Sequence, residues 1–257
     1  MKVLNKIGLI ILMSIIPHTV YSADSQQRDY LSYIPSGLPS GGKVPLVIVL
    51  HGAYGNAESS MNGTFWNQVA NAYKFVVVYP QGTEEASGSN KRTWNAGECC
   101  GKAAYNKVDD VEFLMQLIAD FKQSYNIDDN KVYILGHSNG GMLGYKFVCE
   151  KPGIVKSLVV VSGALLGDSC LDNGSLSVYA IHGASDALIK LDGNDGTKGI
   201  KYNSVQEAEA ILEDSDAYFE TLILDGVGHY MYEVQREVYD RYSKVLAHLA
   251  FLFMLAN

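Results

Sequence analysis

Short apolar runs recur along this chain, separated by segments in which apolar residues return at helical spacing. Residues 45–50 read Pro-Leu-Val-Ile-Val-Leu and residues 75–79 read Phe-Val-Val-Val-Tyr, closed by Pro80. Runs without polar alternation are what strands covered on both faces require. Further strands are predicted just before Gly136, at 157–162, at 177–181 and at 219–224, with an early, more polar one at 28–34. Between them apolar residues fall three and four apart. This spacing predicts helices over 61–73, over 109–125 (Val111, Leu114, Leu117, Ile118 and Phe121 on one side) and after residue 138 (Met142, Tyr145, Val148 and Cys149). Two more are predicted over 204–213 and over 233–255, the latter with Val234, Val238, Val245, Leu249 and Phe253 repeating. Strands alternating with helices imply an α/β fold, a mostly parallel central sheet with helices on both faces. No repeat or linker interrupts residues 23–257, so one domain is expected there. The apolar end of the last helix is too short to span a bilayer and is expected to pack on the sheet.

The first 22 residues stand apart. Lys2 and Lys6 make a positive start, residues 7–16 are an apolar core, and Val20-Tyr21-Ser22 offers small residues where a signal peptidase reads. A signal peptide over 1–22 is expected, with a retained anchor as the alternative. Cleavage after Ser22 leaves no stable membrane anchor and a secreted or periplasmic protein of about 235 residues. A net charge of −8 and the lack of a basic cluster argue against nucleic acid as a partner.

Four cysteines, Cys99, Cys100, Cys149 and Cys170, are an even number, and in an exported chain that favours disulfides. A bond between neighbours is strained, so Cys99 and Cys100 are each expected to pair with one of Cys149 and Cys170, in either arrangement. Adjacent cysteines lack the usual C-x₂-C spacing, so no metal site is expected. Residues 81–107 are long for a passive connection and are expected to be held by those disulfides.

Gly136-His137-Ser138-Asn139-Gly140 is a G-x-S-x-G pattern in the context that gives it meaning, with a strand before and a helix after. A sharp turn there lifts the Ser138 hydroxyl above the sheet, where the helix N-terminus favours developing negative charge. The alternative is a tight turn whose serine merely caps a helix. A serine hydroxyl is a weak nucleophile and needs a base, itself oriented by a carboxylate. Of the six histidines, His18 leaves with the leader, His51 and His182 end strands, His137 adjoins the serine pointing away, and His248 lies inside a helix. His229 remains, in a Gly-x-Gly-His loop after the last strand, at the sheet edge where ligands gather in open α/β folds. For the acid, the chain order Ser, Asp, His leaves Asp168, Asp172, Asp186, Asp192, Asp195 and Asp225. Asp186 stands just beyond a strand end and is preferred. Backbone N–H groups of Asn139 and of Ala53, in the loop 51–55, are the expected oxyanion donors. The Asn139 side chain is read as structural.

These motifs resemble the single-domain secreted esterases related to extracellular poly(3-hydroxybutyrate) depolymerases and the feruloyl and acetylxylan esterases of carbohydrate esterase family one. The resemblance runs in order through residues 44–55, 76–82 (Val-Val-Val-Tyr-Pro-Gln-Gly), Thr-Trp-Asn at 93–95, Cys-Cys-Gly at 99–101, Val-Asp-Asp at 108–110, 132–142, 182–186 and 226–229. It implies an α/β-hydrolase with Ser138, Asp186 and His229 as triad. It implies an exported serine ester hydrolase acting on small-molecule or polymer esters, without metal or organic cofactor. A peptidase, or a non-catalytic binding protein on the same fold, are the alternatives. The chain departs from the family after Asp186 (Ala-Leu-Ile-Lys) and after His229 (Tyr-Met-Tyr), segments that flank the site mouth. Tyr54, Trp94 and Tyr230, with Tyr105 and Tyr232, are candidates to line an aromatic acyl or sugar site. Asp109 and Asp110 are read as helix caps rather than a paired-carboxylate site.

Overall fold

The computed structural model describes residues 28–195 and 199–257, so the expected leader at 1–22 lies outside the described residues. In chain order the elements are β1 (Tyr30–Tyr33), β2 (Val44–Leu50), α1 (Ala57–Gly63), α2 (Trp66–Tyr73), β3 (Val76–Pro80), β4 (Thr83–Glu84), β5 (Arg92–Thr93), α3 (Gly101–Tyr105) and α4 (Asp110–Ser124). There follow β6 (Ile127–His137), α5 (Asn139–Glu150), β7 (Ser157–Val161), β8 (Ser177–Gly183), β9 (Asn194–Asp195), β10 (Lys201–Tyr202), α6 (Val205–Asp214), β11 (Tyr218–Leu224), α7 (Met231–Tyr242) and α8 (Leu246–Ala256). One seven-stranded sheet runs β1-β3-β2-β6-β7-β8-β11. Only β1 is antiparallel to its neighbour; the other six strands are parallel.

Successive side chains of a strand point to opposite faces, and here both faces are covered. Leu46, Ile48, Ile134, Leu158, Val160 and Val178 join a core with α4, α5 and α6. Val47, Val49, Leu135, Val159, Val161 and Ile181 join a second core with α1, α2, α7 and α8. Two-sided burial is why the strands read as unbroken apolar runs. All the parallel strands therefore aim their carboxyl ends at one edge, and that edge carries the loops after β2, β6, β8 and β11.

Two predicted helices are each split in two. Phe65 (φ 61°) separates α1 from α2, and Ser243 (φ 53°) separates α7 from α8. Residues in the left-handed region end a helix. The second break turns α8, apolar around its whole circumference, onto the sheet. Its Phe251 stacks on Phe75 at 4.1 Å and its Phe253 on Tyr179 at 4.8 Å between ring centroids. Among the described residues no helix is long and apolar enough to cross a membrane.

The cysteine pairing differs from expectation. Cys149 pairs with Cys170, at a Cα–Cα distance of 4.5 Å, and Cys99 pairs with Cys100. Cys149 occupies the last turn of α5, and the chain after β7 returns beside it, with the Leu171 N–H donating to the Cys149 carbonyl at 3.3 Å. That return puts Cys170 within bridging range and leaves the neighbours to each other. No disulfide therefore ties the segment 81–107 to the rest. Hydrogen bonds do so instead. The Trp94 N–H donates to the Asn139 side-chain oxygen at 2.8 Å, the Asn139 amide donates back to the Trp94 carbonyl at 3.1 Å, and Trp94 Nε1–H donates to the His51 carbonyl at 2.9 Å.

Candidate active site

The turn between β6 and α5 is tight because two glycines permit it. A Cβ at Gly140 would stand 2.5 Å from the His51 carbonyl oxygen, and one at Gly136 would collide with the Gly140 carbonyl. Ser138, between them, sits at φ 51° and ψ −120°, a conformation that L side chains rarely adopt. It is anchored by its N–H to the Val161 carbonyl at 2.9 Å, while its own carbonyl accepts the Met142 N–H at 2.9 Å to start α5. The half-buried Ser138 hydroxyl thus stands at the N-terminus of a twelve-residue helix, in a positive local field.

Ser138, His229 and Asp186 form one hydrogen-bonded chain. Ser138 Oγ lies 2.9 Å from His229 Nε2, and His229 Nδ1–H donates to Asp186 Oδ2 at 2.7 Å. His229 follows β11 and Asp186 follows β8, so adjacent parallel strands deliver both. Asp186 Oδ1 accepts the Leu188 and Ile189 N–H groups, each at 2.9 Å. Burial alone raises the Asp186 carboxyl. The His229 hydrogen bond and the two backbone donors outweigh that and hold it below the usual carboxylate range. It is therefore ionised near neutral pH and fixes the proton of His229 on Nδ1, leaving Nε2 free to accept from the serine. Such a chain can take a proton from an attacking hydroxyl and return it to a leaving group. Asp168, Asp172, Asp192 and Asp225 are exposed and belong to solvent.

The loop after β2 wraps the same point. The Tyr54 N–H is spent on the Arg92 carbonyl (2.7 Å) and the Gly55 N–H on the Gly52 carbonyl (3.0 Å). Neither the Gly52 nor the Ala53 N–H of this loop makes such a bond, and the Asn139 N–H belongs to the first turn of α5, whose N–H groups have no partner within the helix. Asn139 itself is 1% exposed and spends its side chain on Trp94. Trp94 is 0% exposed, so it lines no substrate site, contrary to expectation. Its indole is needed to hold the 81–107 segment, and a buried N–H must find a partner. Tyr54, Tyr105, Tyr230 and Tyr232 are exposed. Of these, Tyr230 and Tyr232 stack on each other at 5.8 Å and line a cavity of about 380 Å³. Leu50, Ala53, Leu135, His137 and Met231 supply further walls, with Ser60, Thr64 and Gln235 as polar points.

Asp109 caps α4, accepting the Glu112 N–H at 2.9 Å. Asp110 does something else. It is buried, pairs with Arg28 and accepts the Asn95 N–H at 2.6 Å, while the Arg28 guanidinium rests 3.9 Å from the centroid of Phe113. Burial pushes its carboxyl above the usual range against the pull of Arg28. The sequence signals at 94–95, 109–110 and 139 thus mark one clasp behind the candidate site. Sequence reasoning missed what the other histidines touch. A signal was present, since His51, His137 and His182 all stand at or next to the ends of apolar runs.

Those histidines carry an acid-stability expectation. Burial lowers His51 and His137 to about 4, and lowers His182 as well. Unfolded, each returns to about 6.5. Below that pH the unfolded chain binds protons that the folded one refuses, so stability is complete above about 6.5 and falls as pH drops toward 4. His51 alone accounts for about 3 kcal/mol of that loss. His137, with one edge on the cavity, accounts for less. Asp186 adds a loss at still lower pH, and Asp110, raised, works the other way. Urea midpoints are expected to drop clearly between pH 7 and 4.5; a flat profile would contradict the burial argument.

Residues 28–201 match the family described as esterase PHB depolymerase. The chain belongs to that family. Among curated relatives it is 27% identical over 169 residues to a bifunctional acetylxylan esterase/xylanase of Neocallimastix patriciarum, covering 66% of this chain and 23% of that protein. It is 24% identical over 224 residues to acetylxylan esterase A of Emericella nidulans, covering 80% of this chain and 69% of that one. The chain spans only 23–43% of the length of the first such relatives it matches. Among solved structures, a ferulic acid esterase of carbohydrate esterase family one from Anaeromyces mucronatus, in complex with ferulic acid, superposes with a TM-score of 0.60 at 14% identity. That match covers 91% of each chain. The fold of this family member is thus the α/β-hydrolase fold.

Proposed function

We propose that this protein is an exported serine carboxylester hydrolase that works through an acyl-enzyme. The observation that carries the reading is the chain Asp186–His229–Ser138, with both links at hydrogen-bond distance before any substrate is present. In it His229 Nε2 takes the Ser138 proton as the oxygen attacks the ester carbonyl. The N–H groups of Ala53 and Asn139 hold the oxyanion, with the α5 N-terminus behind them. His229 then returns the proton to the leaving alcohol, and water enters by the same route in reverse. Asp186 orients the imidazole and stabilises its charged form without taking the proton. No metal or organic cofactor takes part in these steps.

The cavity beside Ala53 and Tyr230 falls within the size range of small-ligand sites, with mainly apolar walls and a few polar points. Its lining includes none of Ser138, Asp186 and His229 and adjoins them through Ala53, His137 and Tyr230; on that adjacency the reading gives it one small organic group of the ester, aromatic or short aliphatic. The substrates proposed are feruloyl or acetyl esters of polysaccharides, or short hydroxyalkanoate esters, in keeping with the names of the relatives. The test is a panel of p-nitrophenyl acetate, methyl ferulate, acetylated xylan and a hydroxybutyrate oligomer. At least one is expected to turn over at a kcat of about 1–10³ s⁻¹. No turnover on any of them would overturn the substrate class.

A further inference from the structure

The proposed chemistry uses one histidine, yet three more gather at the same sheet edge. His51 follows β2, His137 ends β6, and His182 lies one residue before the end of β8. Each ring is tied to the backbone of a loop that the chemistry depends on. His51 Nδ1–H donates to the Gly52 carbonyl at 2.8 Å and Nε2 accepts the Gly82 N–H at 3.1 Å. His182 Nε2–H donates to the Ile189 carbonyl at 2.8 Å, in the loop of Asp186. His137 Nε2–H donates to the carbonyl of His229 itself, at 3.0 Å. The opposite edge of His137 backs onto the loop of Ala53, where a Cβ at Gly52 would stand 2.8 Å from its Nδ1. The ring is therefore wedged between the two loops that must keep register across Ser138.

We propose that His137 is a positioning residue, whose Nε2–H bond to the His229 carbonyl and contact with Gly52 hold the base and the oxyanion loop at one spacing over Ser138. This rests on the ester-hydrolase reading above. The carbonyl accepts only, so Nε2 must carry the proton and Nδ1 must be bare. The bare nitrogen faces a residue with no side chain, which is where an unprotonated edge fits. Burial keeps the ring neutral near pH 7, so this tautomer persists. His137 touches no reacting atom. It acts through His229, and a base displaced by even 1 Å costs on the order of 100-fold.

The test compares His137→Leu, which fills the space without a donor, with His137→Gln, whose amide N–H reaches the position of Nε2. On the best ester of the panel, His137→Leu is expected to lower kcat about 10–100-fold with a much smaller change in KM, because the ring is one wall of the cavity among many while its bond to the His229 carbonyl bears on the base. His137→Gln is expected to recover most of that loss. Circular dichroism at the assay temperature checks that both are folded. Wild-type kcat in a folded Leu variant overturns the proposal. So does a rise in KM alone, which would make His137 merely a cavity wall, and so does a Gln variant as impaired as Leu. If Leu does not fold, a folded Gln variant with kcat down 10-fold or more overturns it equally. Failure of the ester-hydrolase reading itself is distinct: wild type then turns over no ester, or does so without needing Ser138.

Discussion

Replacing Ser138 by alanine is expected to lower kcat about 10⁴–10⁶-fold while leaving KM and thermal stability nearly unchanged. The change removes one oxygen, the one lying 2.9 Å from His229 Nε2. Among the described residues no other hydroxyl is hydrogen-bonded to His229 Nε2. Alanine accepts the φ of 51° no worse than serine does, and the anchoring bonds of residue 138 are made by its backbone, not its side chain. The oxyanion donors and the cavity survive, so substrate still binds and a small residual rate over water remains. The measurement is kcat and KM on a p-nitrophenyl ester with circular dichroism alongside. Equal rates in the two proteins would sink the triad reading, leaving a hydrolase fold used for binding.

Asp186→Asn is expected to cost about 10⁴-fold in kcat, with the fold intact. The reason is directional. Oδ1 of Asp186 accepts two backbone N–H groups, from Leu188 and Ile189. An asparagine must therefore put its oxygen there, since an NH₂ group facing two donors would leave all of them unsatisfied. Its NH₂ then faces His229 Nδ1, which can only accept. The imidazole proton is driven to Nε2, and Ser138 meets a donor where it needs a base. A loss under 10-fold in a folded Asn variant would mean that another group orients His229. His182, whose Nε2 lies 3.5 Å from Asp186 Oδ2, is bonded to the Ile189 carbonyl and is not placed to do so.

Much of the architecture was legible in the chain because its signals are local. A run such as 45–50 states two-sided burial, and apolar residues three and four apart over 109–125 state a one-sided helix. The turn at Ser138 is legible because only glycine tolerates the approaches at 136 and 140. The helix breaks at Phe65 and Ser243 were not legible. Neither residue is a glycine or proline, the types that mark such a break in a sequence, yet each stands in the left-handed region. In the same way Trp94 was a candidate to line a substrate site, and in its buried place its backbone is bonded to the side chain of Asn139, a residue 45 positions away.

The sequence by itself determined the order of strands and helices, and with it the edge at which the loops after β2, β6, β8 and β11 collect. It also determined the backbone conformation at Ser138. These follow from periodicity and from steric rules acting over a few residues. Only the tertiary structure decided the partners within that edge: Cys149 with Cys170, Asn139 with Trp94, Arg28 with Asp110, His137 with the backbone of His229. Each pairing needs two loops to close over one sheet. A cysteine, an asparagine or a histidine accepts many partners of the same chemistry, and loop closure alone selects among them.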